Sequence, residues 1–293
     1  MIRVATAPMN WNNDDVPDLR PFLPIEQVLA EMVEAGYEGT EYGTGFPADP
    51  EALRRLLGRY GLTLASNFCW VALHDRERQA AEMARALEVA RTLGALDVSE
   101  LILGMRGDER RLQLAGRVPA DGSAGLSAEA WRVLAHGVQR LASACTPLGV
   151  RLAVHPHAGS YVETRDELER LLALTEPEAL GLCLDTGHLV YGGADPIAVV
   201  AAHGARVRYV HLKDVNLRVL DSARRNGLGF LGALKAYVFC GLGHGGVDLD
   251  RFMGALREAH YSGWLVIEED TSPDPPLLAA RRNRRYLKAR YGI

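Results

Sequence analysis

Cysteine is scarce in this sequence. Only Cys69, Cys145, Cys183 and Cys240 occur, with no CxxC pair and no short regular spacing. That gives no ground for a disulfide framework, and leaves reduced, mostly buried thiols of the kind a cytosolic protein carries. Excess charge is missing too. Lys and Arg total 33 against 37 Asp and Glu, a net charge of −4 with no basic stripe, so neither nucleic acid nor an anionic membrane surface is an expected partner. No apolar run reaches the length of a membrane span. The opening MIRVATAPMNW has no basic segment followed by an apolar one, so no signal peptide is expected and the expected compartment is the cytoplasm. Two further absences concern architecture. No Ser/Pro/Gly-rich linker divides the chain, and no GxGxxG turn follows the first strand-like run, which removes the usual sign of a dinucleotide fold.

What the sequence has is alternation. The composition, 48% hydrophobic and 24% charged, is that of a soluble protein with a sizeable core. Short apolar runs at residues 3–7, 39–42, 63–67, 99–103, 151–155, 181–185, 207–212 and 264–268 read as strands. Between them lie helical patterns. Residues 25–35 end at Gly36, and 50–60 begin with Pro50 and stop at Gly61. The run 76–93 closes at Gly94, and 127–148 opens on Ser127 as an N-cap. The stretch 164–175 opens T-R-D-E, with Glu167 three residues after Thr164 as in a capping box. Eight such units mean parallel strands with helical crossovers, and they suit closure into a single (β/α)8 TIM barrel spanning 1–293. Two connections are long, 104–126 and 214–246; the second holds a helical pattern of its own at 230–239 and reads as an insertion.

In such a barrel the chemistry belongs at the C-terminal ends of the strands. Polar residues should therefore appear where each apolar run stops, and they do. The first run leads into Asn10, Trp11 and Asn12. The second ends with Glu41, and the third with Asn67, Phe68, Cys69 and Trp70. The fifth ends with His155 and His157, the sixth with Asp185 and His188, the seventh with His211, Lys213 and Asp214, and the eighth with Glu268, Glu269 and Asp270. Asp185, His211 and Glu268 each close a strand-like run, so all three can face one mouth. Two carboxylates and an imidazole suit a divalent metal: manganese, cobalt or magnesium first, zinc or iron next. Such an ion would polarise a carbonyl. His155, His157 and His188 beside it can carry protons or bind hydroxyls. Lys213, next to a cation, is expected to have a lowered pKa and to serve as a base, with a structural salt bridge as its rival. Asn10, Trp11, Asn67 and Trp70, with Glu41 and His157, are expected to line a sugar-sized pocket. The run Gly241–Gly246 lacks the lysine of a phosphate loop and reads as a turn shaping the mouth.

At these residues the sequence resembles the xylose isomerase-like, endonuclease IV-like TIM-barrel superfamily, and within it the group of inosose (2-keto-myo-inositol) dehydratases. The stretches that carry the resemblance are APMNWNNDDVPDL, EMVEAGYEGTEYGTGFPADPEAL, VHPHAGSYVET, GLCLDTGHLVYGGADP, VHLKDV, GLGHGGVDLDRF and GWLVIEEDTSPDP, which together run nearly the whole chain. The resemblance implies a metal-dependent dehydration, with Asp185, His211 and Glu268 as ligands. Many isomerases and epimerases of the superfamily end their fifth strand with a ligating Glu that also moves protons; here that position is His155. Either His155 ligates, or Glu163 folds back from the loop to complete the site. Glu163 is preferred as the fourth ligand because it leaves His155 free to act on substrate.

The expected activity is that of a lyase on a keto-cyclitol or keto-sugar, with His155, His188, Lys213 and Glu268 as the acid–base set. A metal-dependent ketose epimerase or aldose–ketose isomerase is the alternative. A barrel that binds a sugar or a partner without catalysis is a third reading, and DNA repair a distant fourth. Barrels of this kind often form a homo-oligomer, and residues 221–239 are placed to cover a neighbour's mouth or their own.

Overall fold

The computed structural model of the protein describes residues 1–293 and contains a closed barrel of eight parallel strands. These are β1 (Ile2–Thr6), β2 (Gly39–Glu41), β3 (Thr63–Val71), β4 (Glu100–Met105), β5 (Arg151–Val154), β6 (Leu180–Asp185), β7 (Val207–Leu212) and the last strand, Gly263–Ile267. Two short strands, β8 (Asp214–Val215) and β9 (Phe239–Cys240), pair antiparallel outside the barrel, which makes the eighth barrel strand β10 in chain order. β1 closes the barrel by pairing with both β2 and β10. No helix is long and apolar enough to cross a membrane.

Side chains alternate between the two faces of a strand, and here that period decides what reaches the mouth. Ala5, Ala65, Ile102, Ala153, Cys183, Tyr209 and Val266 form one buried cluster inside the barrel. Four of these are Ala or Cys, small enough to leave room for the Tyr209 ring. Two residues on from Ala153, Cys183, Tyr209 and Val266 come His155, Asp185, His211 and Glu268. The inner row therefore continues into the functional one. Residues of opposite parity, among them Leu101, Leu152, Leu182 and Val210, join the larger core between strands and helices. Cutting one of these leucines to Ala would cost roughly 2–5 kcal/mol through the cavity left behind.

The helices end where local chemistry stops them. Ile25–Ala35 and Pro50–Tyr60 terminate at Gly36 and Gly61, both in the left-handed conformation a C-terminal glycine allows. Ser127 caps Ala128–Cys145 by accepting from the Ala130 N–H, and both halves of the Thr164–Glu167 capping box are made at Arg165–Ala173. The 214–246 insertion carries helices Leu217–Arg225 and Phe230–Lys235 between β8 and β9. Its glycine-rich end is a nest for a carboxylate of the chain itself. Asp214 accepts from the N–H groups of Gly243 and Gly245, each at 2.9 Å, and of Val247 at 3.0 Å.

Candidate active site

A cavity of about 160 Å³ opens at the C-terminal ends of the strands. Its polar floor is Glu41, His155, His211, Lys213 and Glu268, and its walls include Phe68, Trp70, His157 and His188. Phe68 and Trp70 lean across the end of β4 because residue 104 is glycine: a Cβ there would meet Phe68 Cζ at 2.5 Å and Trp70 Cε3 at 2.7 Å. A larger groove of about 430 Å³, on the flank between the 118–126 loop and the start of the helix Arg165–Ala173, holds none of the strand-end residues.

His211 lies at the centre. Its Nε2 is 3.0 Å from Oε1 of Glu41, and its Nδ1 is 3.1 Å from Oε2 of Glu268 and 3.7 Å from Oδ2 of Asp185. Lys213 Nζ meets the same two oxygens, at 3.0 Å for Glu268 and 3.4 Å for Asp185, and lies 2.7 Å from Oδ1 of Asp270. Asp185 divides its labour. Oδ1 caps the helix Thr186–Tyr191 by accepting from the His188 N–H at 2.7 Å, while Oδ2 faces His155 Nε2 at 3.3 Å.

Burial and charge oppose each other here, and charge decides most outcomes. Burial disfavours an imidazolium at His211, but Cys183, Glu268 and Glu41 outweigh it and hold its pKa well above the ordinary value. Burial also disfavours the Lys213 ammonium, and Asp185, Asp270 and Glu268 reverse that as well. Among these carboxylates Lys213 is a held ammonium, the salt-bridge alternative to a free base. Asp185 and Glu268 are pulled below the usual carboxylate range despite burial, above all by Lys213 in the first case and by His211 and Lys213 in the second. Asp270 shares its only cation with two other carboxylates, and burial pushes it up to about 7. His155 and His157 are pushed down, above all by burial, His157 to about 3.

The donor set fits a divalent cation. Three groups of ligand atoms each lie within 4.8 Å of one another: Glu41 with His211 and Glu268, His155 with Asp185 and His188, and His155 with Cys183 and His211. Nδ1 of His155 is buried and lacks a hydrogen-bond partner, and His211 reaches a carboxylate from each ring nitrogen, the surroundings a cation could share.

Several expected residues stand elsewhere. Glu163 belongs to none of these groups. Its two oxygens each accept a backbone N–H at 2.6 Å, from Gly116 and Gly159, beside the buried Arg111. Trp11 is a core residue, 1% exposed, and its indole N–H donates to Glu31 at 2.7 Å. Asn67 pairs with Leu101 in the β3–β4 register and so faces the outer layer with it. Asn10 braces the end of β10: its Nδ2 donates to the Ile267 carbonyl at 2.9 Å, and its Oδ1 accepts from Glu269 N at 2.9 Å and Asp270 N at 3.1 Å. Glu41, expected only to touch substrate, joins the ligand set through His211. Asp270 was not among the expected site residues, although the i, i+2 spacing from Glu268 carries that signal. Asp15, at the rim, is another lining carboxylate outside the expected set. Residues 230 and 239 cover their own mouth: Phe230 packs edge-on to His157 at 5.1 Å, and Phe239 to His188 at 5.1 Å.

A family model described as "Xylose isomerase-like TIM barrel" matches residues 29–290. An inosose dehydratase of Geobacillus kaustophilus (strain HTA426) is 38% identical over 276 residues, covering 92% of this chain and 88% of its own. The rhizopine catabolism protein MocC of Rhizobium meliloti is 37% identical over 290 residues, covering 98% of this chain and 87% of its own. Among solved structures, L-ribulose 3-epimerase superposes with a TM-score of 0.72 at 16% identity, over 99% of this chain and 94% of that one. The probable 3-DHS dehydratase AsbF involved in petrobactin synthesis, from Bacillus anthracis, does so at 0.71 and 13%, over 98% and 99%. At such low identities the superpositions speak for the fold alone.

Proposed function

This chain belongs to the xylose isomerase-like TIM-barrel family, and from that premise we propose that it is a lyase removing water from a keto-cyclitol of the 2-keto-myo-inositol type. The observation that carries the reading is the end of the fifth strand. His155 stands there, 3.3 Å from Asp185, where a two-carboxylate proton exchange would need a Glu facing Glu268. Full-length relatives named inosose dehydratase support the same reading.

Glu41, Asp185, His211 and Glu268 would hold a divalent metal, which leaves His155 free to act on substrate. When bound, that ion would polarise the substrate ketone and make the neighbouring proton more acidic. The chain's own groups do the rest. His155, neutral through burial and held by Asp185, takes the α-proton. The electron pair left on carbon forms the new double bond and expels the β-hydroxyl. Lys213 is the one ammonium or guanidinium among the cavity's lining residues, and it supplies the proton that turns the departing hydroxyl into water. Phe68 and Trp70 shield the flat enolate from solvent. The product is an enone whose retained hydroxyl makes it the enol of a diketone.

Incubating the protein with manganese(II) and 2-keto-myo-inositol is expected to produce a new enone absorbance. No turnover of that or any ketosugar would end the lyase reading. A second reading has its own support: Glu41 and Glu268 flank His211 from opposite nitrogens, which returns a second carboxylate to the site. An epimerase would take up solvent deuterium at the α-carbon without losing water.

A further inference from the structure

His157 and His188 share the backbone of one residue, Ala158. The Ala158 N–H donates to Nδ1 of His188 at 3.1 Å, and the Ala158 carbonyl faces Nδ1 of His157 at 2.8 Å. An amide N–H only donates and a carbonyl oxygen only accepts. His188 Nδ1 must therefore be bare, and His157 Nδ1 must carry the proton. His188 is neutral by that geometry, and His157 lies buried among Trp70, Phe230 and the His188 ring with its only polar contact at the Ala158 carbonyl and no carboxylate partner. A neutral imidazole has one N–H. The remaining proton of His188 is then on Nε2, while Nε2 of His157 is a bare acceptor.

The backbone that sets this pattern cannot turn over freely. Ala158 is fully buried, and the next residue, Gly159, stands at φ +80° with its N–H given to Glu163 at 2.6 Å. Glu163 also takes the Gly116 N–H, and Arg111 is paired bidentately with Glu167 beside it, at 2.7 and 3.0 Å. The carboxylate expected to ligate metal is thus the anchor of the loop carrying His157. The two rings stack, with centroids 3.8 Å apart and planes inclined by 30°. Both residues line the cavity, and neither Nε2 has a hydrogen-bond partner within the protein.

We infer that Ala158 locks His157 and His188 in opposite tautomers, so that the cavity presents an acceptor and a donor side by side to an adjacent pair of hydroxyls on a cyclic polyol. One hydroxyl donates to His157 Nε2, and its neighbour accepts from His188 Nε2–H. A phosphate or carboxylate in the same place offers acceptors alone and leaves His157 unmatched. The pair therefore selects the uncharged, hydroxylated edge of a ring. The substrate class rests on the proposed dehydratase reading; the tautomers do not.

The test is long-range ¹H–¹⁵N correlation of the imidazoles in the purified protein, in magnesium chloride so that any bound ion is diamagnetic. H157Q and H188Q assign the signals, or contacts to the Ala158 methyl do where a variant does not fold. The expected result is an Nδ1–H tautomer for His157 and an Nε2–H tautomer for His188. The same tautomer in both, the reverse assignment, or an imidazolium at either overturns the inference. Titration with myo-inositol is expected to move the two Nε2 signals and leave Nδ1 in place; no movement at saturation overturns the hydroxyl-pair reading. With 2-keto-myo-inositol, H188L is expected to raise KM about tenfold, the worth of one hydrogen bond, while H188Q, whose amide can donate at the Nε2 position, restores most of it. Absence of turnover would count against the dehydratase reading and leave the spectroscopic results to decide the tautomers.

Discussion

Nζ of Lys213 lies 3.0 Å from Oε2 of Glu268, the carboxylate oxygen that also faces His211. The ammonium thus leans on the same atom a divalent cation would use, and on Oδ2 of Asp185 besides. Three carboxylates share this lysine, so its charge and that of a metal ion act on one buried electrostatic balance.

Lys213→Met should therefore do two things. Removing the only cation beside Asp270 leaves buried charge unpaired, a loss of about 3–5 kcal/mol by the usual measure of broken buried pairs. Manganese should then stabilise the variant more than it stabilises the wild type, because the ion takes over part of the missing charge. Thermal melts of both proteins with and without manganese chloride read this directly. Equal rises in Tm would mean that lysine and metal do not share those carboxylates.

Glu163→Ala separates the anchor from the ligand. The change leaves two buried N–H groups, those of Gly116 and Gly159, without acceptors, at a cost of about 1–3 kcal/mol each. Manganese bound per chain, measured by atomic emission on the folded variant, should stay at the wild-type level while Tm falls. A folded Glu163→Ala protein that binds no metal would return Glu163 to the ligand set.

The barrel and most of its strand-end chemistry were legible because both depend on a period of two. Once Ala153, Cys183, Tyr209 and Val266 face inward, His155, Asp185, His211 and Glu268 follow with no further information. What escaped depends on partners distant in sequence. Nothing near Glu163 announces that Gly116, 47 residues earlier, will hold its carboxylate. In the sequence the apolar run stops at Asn67 and marks it as a strand-end residue, whereas β3 continues to Val71 and turns Phe68 and Trp70 inward instead. Trp11 has the composition of a sugar platform, and only the packing shows Glu31 taking its N–H.

That last contrast yields a paired prediction for the two tryptophans. Trp11→Phe removes a buried hydrogen bond and some volume, so it should lower stability by about 1–2 kcal/mol and leave KM unchanged. Trp70→Leu strips an aromatic wall from the cavity, where it packs edge-on to His157 at 4.7 Å, and should raise KM with a smaller effect on Tm. Steady-state kinetics and denaturant melts on both variants distinguish the roles. A raised KM in Trp11→Phe would put that ring back in the pocket.

Far from the site, Glu100 should make the fold sensitive to pH. It lies at the opposite, N-terminal end of its strand, 5% exposed, paired with the half-exposed Arg151 through Oε1 while Oε2 has no partner. Burial is the largest influence on it and pushes its pKa from 4.5 up to about 7, against the pull of Arg151 and Arg208. A carboxyl whose folded pKa is raised binds its proton more tightly in the folded state. Its contribution to stability is thus fully present below 4.5 and is lost as pH rises through about 7. The full loss is at most about 3.5 kcal/mol, from roughly 1.4 kcal/mol per pH unit between the two values. Glu100→Gln removes the ionisation and keeps the shape. The difference in Tm between variant and wild type should therefore shift in the variant's favour between pH 5 and pH 8. A difference that stays flat across that range would show that Arg151 already compensates the charge in full, and the buried end of β4 would then be indifferent to the ionisation of its glutamate.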